Sequence, residues 1–335
     1  MTTTSAAGSR SAAISAVGLA KSYGDKVVLD GIDLHIPEGT VFALLGPSGA
    51  GKTTTLQILS TLVGADAGRV HVAGHDLARE ADAVRRAIGV TGQFAAVDNL
   101  LTTRENLILM ADLRHLGRVE GRRRADELLA RFDLTEAASK AVVTLSGDMR
   151  RRLDLAMTLI GDPRVIFLDE PTTGLDPRSR RVIWNIIREL VAEQGVTVLL
   201  TTRYLEEADR LADRIAVLDY GRLVAEGTAA ELKRRVPGAH IRVRFNNPHH
   251  LDVAADLFRA TTCDDETLTL DIPGDDSIPT LRTLLDTLDD AAIRAESLTV
   301  HTPDLDDVFL ALTGRAHADR APGAGRPWPN RRNPR

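Results

Sequence analysis

Apolar and polar positions change regime several times along this chain. Three runs, Val41 to Leu45, Val165 to Leu168 and Val196 to Leu200, are short, nearly unbroken and rich in β-branched or aliphatic residues. That pattern predicts strands of a sheet covered on both faces. Ahead of them, the stretch from about Ile14 reads as strand, with KVVLDGIDLHIP ending in the turn Pro37-Glu38-Gly39. From about Leu101 to Ile160 the period is helical, and in its last segment Leu153, Ala156, Met157 and Ile160 share one face. A helical subdomain, about residues 95–160, is therefore expected inside an α/β core. After Leu232, breakers at Pro237-Gly238 and Asn246-Asn247-Pro248 precede alternating, strand-like stretches at Ile241 to Phe245, Thr267 to Ile272 and Ser297 to His301, with a last helix over Asp304 to Leu312. The expected organisation is a disordered leader (residues 1–13), an α/β domain (14–235), a small α+β domain (240–314) and a disordered tail (315–335) without periodicity.

Composition narrows the partners. A chain of 335 residues, 43% hydrophobic and 27% charged, can bury a large core. Its net charge of −5 gives no overall basic field, so nucleic acid is not expected as a partner. No run approaches the roughly 20 apolar residues of a membrane span, and residues 1–13 lack the apolar centre of a secretory signal. The lone cysteine, Cys263, reads as inert.

The chemistry begins at Gly46-Pro47-Ser48-Gly49-Ala50-Gly51-Lys52-Thr53, which fits G-x-x-x-x-G-K-[ST] between a buried strand and a helical pattern that opens with Thr54. Glycines there let backbone N–H groups curl around phosphates, the helix offers its positive end, and Lys52 adds a point charge. Thr53 is the expected Mg²⁺ ligand. The second metal-holding group should be an acid at the end of another buried strand, which Asp169 satisfies. Glu170 beside it is placed to activate the attacking water. A Gly-Ser surface turn and two solvated acids are the plain alternatives.

At this point the chain resembles the ABC transporter ATP-binding family, across roughly residues 14–233, in a P-loop NTPase fold of α/β class with an inserted helical subdomain. The resemblance implies a nucleotide role for Tyr23, in KSYGDKVVLDGI, stacking on adenine, and for Gln93, in VTGQF, sensing Mg²⁺ and the γ-phosphate. It places Leu145-Ser146-Gly147-Asp148-Met149 at the family signature, which is presented to ATP held by a second copy. Asp176, in TTGLDP, falls at the seam between copies. On residues alone, Ser146 is also a helix cap and Asp176 a turn before Pro177. Within the family, VTGQFAAVDNLLTTRENL, MRRRLDLA, the segment from Tyr204 to Lys233 and LDDVFLALTG look most like the daunorubicin-resistance drug exporters. That resemblance implies ATP and Mg²⁺, a head-to-tail dimer, a separate integral membrane subunit that handles the transported hydrophobic compound, and a peripheral place on the cytoplasmic face of the plasma membrane. The small C-terminal domain would stabilise or regulate the dimer.

Two positions depart from the family pattern. Arg203, in TTRYLEEAD, stands where a histidine is usual, and its permanent charge removes any proton-relay role. Asp148 replaces the second signature glycine, and a carboxylate within 4 Å of a phosphate is opposed by about 4 kcal/mol per charge pair. An Arg203–Asp148 pair across the dimer seam would restore balance. Three functions stay in view: an active transporter ATPase, a regulatory subunit that binds ATP with little hydrolysis, and a soluble ABC protein acting on nucleic acid. Single-cassette length and charge weigh against the last. Arg150-Arg151-Arg152 reads as a solvated face or seam, His249-His250 as a surface loop without metal, and the tail arginines remain unassigned.

Overall fold

The structure is a computed structural model describing residues 11–93, 96–235, 240–258, 262–274, 277–301 and 303–318, with side chains described to residue 312. It divides into two compact units, one ending at Leu232 and one beginning at Lys233.

The first unit runs β1 (Ala12–Tyr23), β2 (Lys26–Pro37), β3 (Val41–Leu45), α1 (Lys52–Leu59), β4 (Ala67–Val72), β5 (His75–Asp76), α2 (Ala81–Ala87), β6 (Ile88–Thr91), α3 (Thr103–Leu113), α4 (Arg118–Arg131), α5 (Gly147–Thr158), β7 (Val165–Asp169), α6 (Pro177–Gln194), β8 (Thr197–Thr202), α7 (Leu205–Leu211), β9 (Arg214–Asp219), β10 (Arg222–Gly227) and α8 (Ala229–Lys233). Its central sheet has the order β10-β9-β3-β8-β7-β6. All pairings are parallel except that of the edge strand β10. Every residue of β3, β7 and β8 is buried, the expected fate of unbroken apolar runs covered on both faces. A second, antiparallel sheet, β2-β1-β4-β5, adds Ile14, Leu19, Leu34 and Ile36 to the core that holds Phe42, Leu44 and Phe167. Because β3, β6, β7 and β8 are parallel, their carboxyl ends share one edge, where ligands of open α/β sheets bind. Between β6 and β7 lie the three helices α3, α4 and α5; the first is fixed by a capping box in which Thr102 and Glu105 satisfy each other's backbone N–H.

The second unit runs β11 (His240–Phe245), α9 (Pro248–Phe258), β12 (Thr262–Asp264), β13 (Thr269–Pro273), α10 (Ile278–Asp290), β14 (Ala295–His301) and α11 (Leu305–Ala318). Its antiparallel sheet, ordered β12-β13-β11-β14, buries Ile241, Val243, Phe245, Leu270 and Ile272 against Leu251 and Leu284.

Three expectations change. The leader cannot extend to residue 13, because β1 already includes Ala12, opposite Pro37, and Ala13 is buried; residues 1–10 lie outside the described residues. Helix α11 continues to Ala318, past the expected tail boundary at 315, and residues 319–335 with the tail arginines lie outside the described residues. His249 and His250 open helix α9 rather than a loop, and no group of three potential metal ligands exists among the described residues.

Candidate functional site

The site is assembled on the carboxyl edge of the central sheet. The loop 46–51 leaves β3 and closes on α1, whose flanking residue Gly51 has φ +111°. Two glycines are required sterically. A Cβ at Gly46 would stand 2.2 Å from the Leu218 carbonyl oxygen, and one at Gly51 would meet Leu29 at 2.7 Å and the Val28 carbonyl at 2.9 Å. Lys52, buried at the helix start, donates from Nζ to the Gly46 and Pro47 carbonyls at 2.8 and 2.9 Å. Its pKa is lowered, chiefly by burial, against the opposing pull of Glu170 and Asp169; Arg203 adds to the lowering. Those three groups therefore share one electrostatic neighbourhood with Lys52.

Thr53 Oγ1 donates to both Asp169 carboxylate oxygens, at 3.2 and 3.0 Å, across the gap between α1 and β7. Thr201 on β8 donates its hydroxyl to Asp169 as well and accepts from the Glu170 N–H at 3.1 Å. Two hydroxyls on one buried carboxylate offer few protein oxygens, a set that fits a cation taking its other ligands from phosphates and water, as Mg²⁺ does. Pro47, Ser48, Gly49 and Ala50 fill the loop between Gly46 and Gly51, and Thr54 follows in α1.

Glu170 directly follows β7 with φ +48°, a left-handed backbone that a glutamate adopts only at a cost of roughly 1–3 kcal/mol. Its Oε2 accepts from Thr173 Oγ1 at 3.0 Å and stands 3.8 Å from Arg203 Nε. Gln93 lies exposed two residues beyond β6, on the same sheet edge, since Thr91 is paired with Leu168. Tyr23 ends β1, half exposed, with Lys21 Nζ 5.3 Å from its ring centre.

The signature residues stand apart. Ser146 caps α5, accepting the Met149 N–H at 3.3 Å, and Gly147 opens that helix. Among the described residues no hydrogen bond or ion pair joins Ser146, Gly147 or Asp148 to the loop 46–53 or to Glu170. Asp176 caps α6, accepting from the Arg178 and Ser179 N–H groups and the Ser179 hydroxyl, and the hydroxyl bond leads in holding its carboxyl below the ordinary range.

The two unusual charges have partners within their own chain. Asp148 Oδ2 is 2.8 Å from Arg152 Nη2, and Arg203 faces Glu170. An Arg203–Asp148 pair is therefore not needed for charge balance. The solvated face expected of the triple arginine is also absent. Arg150 donates to the Val142 and Val143 carbonyls, Arg152 bridges Asp148 and Asp133, and Arg151 is buried against Asp154. Sequence reading also missed Thr201, Thr173 and Glu207. Glu207 is fully buried in α7, accepts from Thr172 and Trp184, and has its carboxyl pKa raised by burial. Hydroxyls and acids inside apolar runs carry no local motif.

Between the sheet and the helical segment lies a groove of about 410 Å³ whose lining includes Leu62, Arg85, Ala96, Met110, Leu113 and Asp154. No described helix is long and apolar enough to cross a membrane.

The chain is similar to known proteins over most of its length. The ABC transporter family matches residues 29–173. The daunorubicin resistance ATP-binding protein DrrA3 of Streptomyces coeruleorubidus is 53% identical over 304 residues, covering 90% of this chain and 96% of that protein. The Nod factor export ATP-binding protein I of Paraburkholderia xenovorans is 40% identical over 302 residues, covering 89% and 96%. Among solved structures, an ABC transporter subunit from Clostridium perfringens, 26% identical, superposes with a TM-score of 0.61 over 67% of this chain and 94% of its own. None of these likenesses supports a purely regulatory role.

Proposed function

We propose, from the premise that this chain belongs to the ATP-binding subunits of ABC transporters, in their daunorubicin-resistance group, that it hydrolyses Mg-ATP to drive export of a hydrophobic drug or antibiotic through a separate membrane subunit. The observation that carries hydrolysis is the convergence of Lys52, Thr53, Asp169 and Glu170 on one sheet edge, with Thr53 bonded to Asp169.

In this reading ATP enters the cradle of residues 46–54 and takes over the Lys52 ammonium from the Gly46 and Pro47 carbonyls, while Tyr23 stacks on the base. Thr53, Asp169 and Gln93 would hold Mg²⁺, which when bound would supply positive charge against the phosphates of ATP. Glu170 accepts the proton of the attacking water, positioned by its N–H bond to Thr201 and its Thr173 contact. Arg203 turns from Glu170 to the γ-phosphate, whose oxygens can accept the guanidinium fork bidentately. The separation of Ser146 and Gly147 from the loop supports a head-to-tail dimer, each copy presenting its signature, with Asp148 neutralised by Arg152, to the other's ATP. Asp176 then lies at the seam. The apolar groove lined by Leu62, Met110 and Leu113 is the docking face for the membrane subunit, and the chain sits on the cytoplasmic face of the plasma membrane. The differing cargoes in the names of the relatives fit a substrate chosen by that partner.

The test is steady-state Mg-ATPase of the purified chain, alone and with the membrane subunit in lipid, against Glu170→Gln as the blank. Turnover above the blank and raised by the membrane subunit is expected; turnover equal to the blank with ATP bound overturns hydrolysis.

A further inference from the structure

One buried ion pair has no part in nucleotide chemistry and yet touches three functional segments. Arg151 and Asp154, three residues apart on α5, are 3.1 Å apart, with side chains 8% and 3% exposed. The same guanidinium donates from Nε to the Pro171 carbonyl at 2.6 Å and from Nη1 to the Gly92 carbonyl at 3.1 Å. The other Asp154 oxygen accepts the Ala96 N–H at 3.0 Å. Gly92 and Ala96 bracket Gln93, Pro171 follows Glu170, and α5 itself begins at the signature.

Stability does not account for this arrangement. Desolvating two charges is expensive, and buried pairs can often be replaced by apolar residues without loss. Arg151 Nη2 is in addition buried without a partner. What the pair supplies is geometry. Pro171 has no N–H, so its carbonyl is its sole backbone hydrogen-bonding group, and Arg151 takes it. The adjacent Glu170 already sits in a left-handed backbone, where a small displacement of residue 171 changes where its carboxylate points. A misplacement of about 1 Å can cost on the order of a hundredfold in rate. At the other end, Asp154 and Ala96 line the groove assigned above to the membrane subunit.

We propose that Arg151 and Asp154 are positioning residues that link this groove to Glu170: a body seated in the groove shifts Asp154 and Ala96, and the planar guanidinium passes the shift to Pro171. The identity of the groove's occupant rests on the reading of function above; the link itself does not.

The test uses a defined wedge in place of the partner. In the full chain carrying Cys263→Ser, Leu113→Cys on the groove wall is labelled with pyrene maleimide. Hydrogen exchange of peptide 169–176 and kcat and KM for ATP are read before and after labelling. With the pair intact, labelling changes exchange at 169–176 and kcat by about threefold or more, with KM little altered. Two variants separate a link from mere support. Arg151→Lys keeps the charge facing Asp154 but lacks the fork that reaches Pro171 and Gly92 together. The double variant Arg151→Met/Asp154→Leu fills the site with apolar groups but leaves the Pro171 and Gly92 carbonyls and the Ala96 N–H without these partners, so it melts below the parent and is read at a temperature where both chains are folded. Both lose the response to the label. A response that survives in either variant, or that is absent from the parent chain, overturns the proposal. A chain with no turnover defeats hydrolysis but leaves exchange at 169–176 to judge the link.

Discussion

The phosphate-loop edge and the signature edge of this molecule are built on opposite terms. At the first, Lys52 is spent on the carbonyls of its own loop, Thr53 leans on Asp169, and Glu170 holds a strained backbone beside Arg203. Each of these contacts is one that a nucleotide and its metal would replace. At the second, charges are settled internally: Arg150 on the Val142 and Val143 carbonyls, Arg151 on Asp154, Arg152 on Asp148 and Asp133. The contrast teaches that one edge is prepared to exchange partners, while the other is a finished surface to be placed against something. Substitutions should therefore cost activity at the first edge and mostly stability or coupling at the second.

The largest effect that could break this contrast is at the carboxylate. Glu170→Gln is expected to lower kcat by a factor of about 10²–10⁴, the range for a lost general base, with ATP affinity retained because Lys52 and Thr53 are untouched. A fall of less than tenfold would mean that the strained residue is not the base. Lys52→Ala comes next. Loss of one charge-assisted contact to phosphate, about 1.5–3 kcal/mol, weakens ATP binding by roughly 10- to 150-fold, measured by titration with a fluorescent nucleotide. Unchanged affinity would detach the loop from its assigned ligand.

A third prediction sits on the signature edge and concerns pH. Burial is the leading cause that pushes the Asp154 carboxyl up to about 6, against the opposing pull of Arg151. An acid whose folded pKa lies above its unfolded value, here 3.8, binds more protons when folded between those two values. Its contribution to stability is therefore fullest at low pH and declines as pH rises from about 4 to about 6. Arg151→Met/Asp154→Leu should remove that decline, so the difference in melting temperature between variant and parent should move in the variant's favour across that interval and level off above it. A difference that stays flat between pH 4 and 7 would mean that Asp154 titrates normally.

The same contrast explains what was legible in the sequence. The loop at 46–53 announces itself because the glycines at 46 and 51 and the Lys52-Thr53 pair fall at a fixed spacing within one short stretch between strand and helix. The buried strands at 41–45, 165–169 and 197–202 were readable for a similar reason, since covering both faces forces an unbroken apolar run. Contacts that close through space left no such mark. Thr201 looks like any strand threonine until β8 lies beside β7, and Arg151 looks solvated until Gly92 and Pro171 arrive from just beyond the ends of β6 and β7. Short strands were also missed: β12 is three residues long and wholly exposed, so no alternation marks it.

The smallest expected effect sharpens the comparison most. If each unusual charge is settled by its own chain, Asp148→Gly and Arg203→His should act independently. Asp148→Gly loses a helix N-terminal acid and its Arg152 pair and gains a glycine inside the first turn, at a cost of about 1–2 kcal/mol of stability. Arg203→His removes a fixed cation 3.8 Å from Glu170. In the ATP-bound state, where Arg203 has turned to the γ-phosphate, the change should lower kcat by a few-fold, about 1 kcal/mol, because histidine replaces only part of that contact. Combined and read as a double-mutant cycle on kcat/KM, the coupling energy should stay within about 0.5 kcal/mol. A coupling of 1 kcal/mol or more would mean that the two residues meet across the seam of a dimer after all. The signature edge would then be an active participant in charge balance rather than a finished surface.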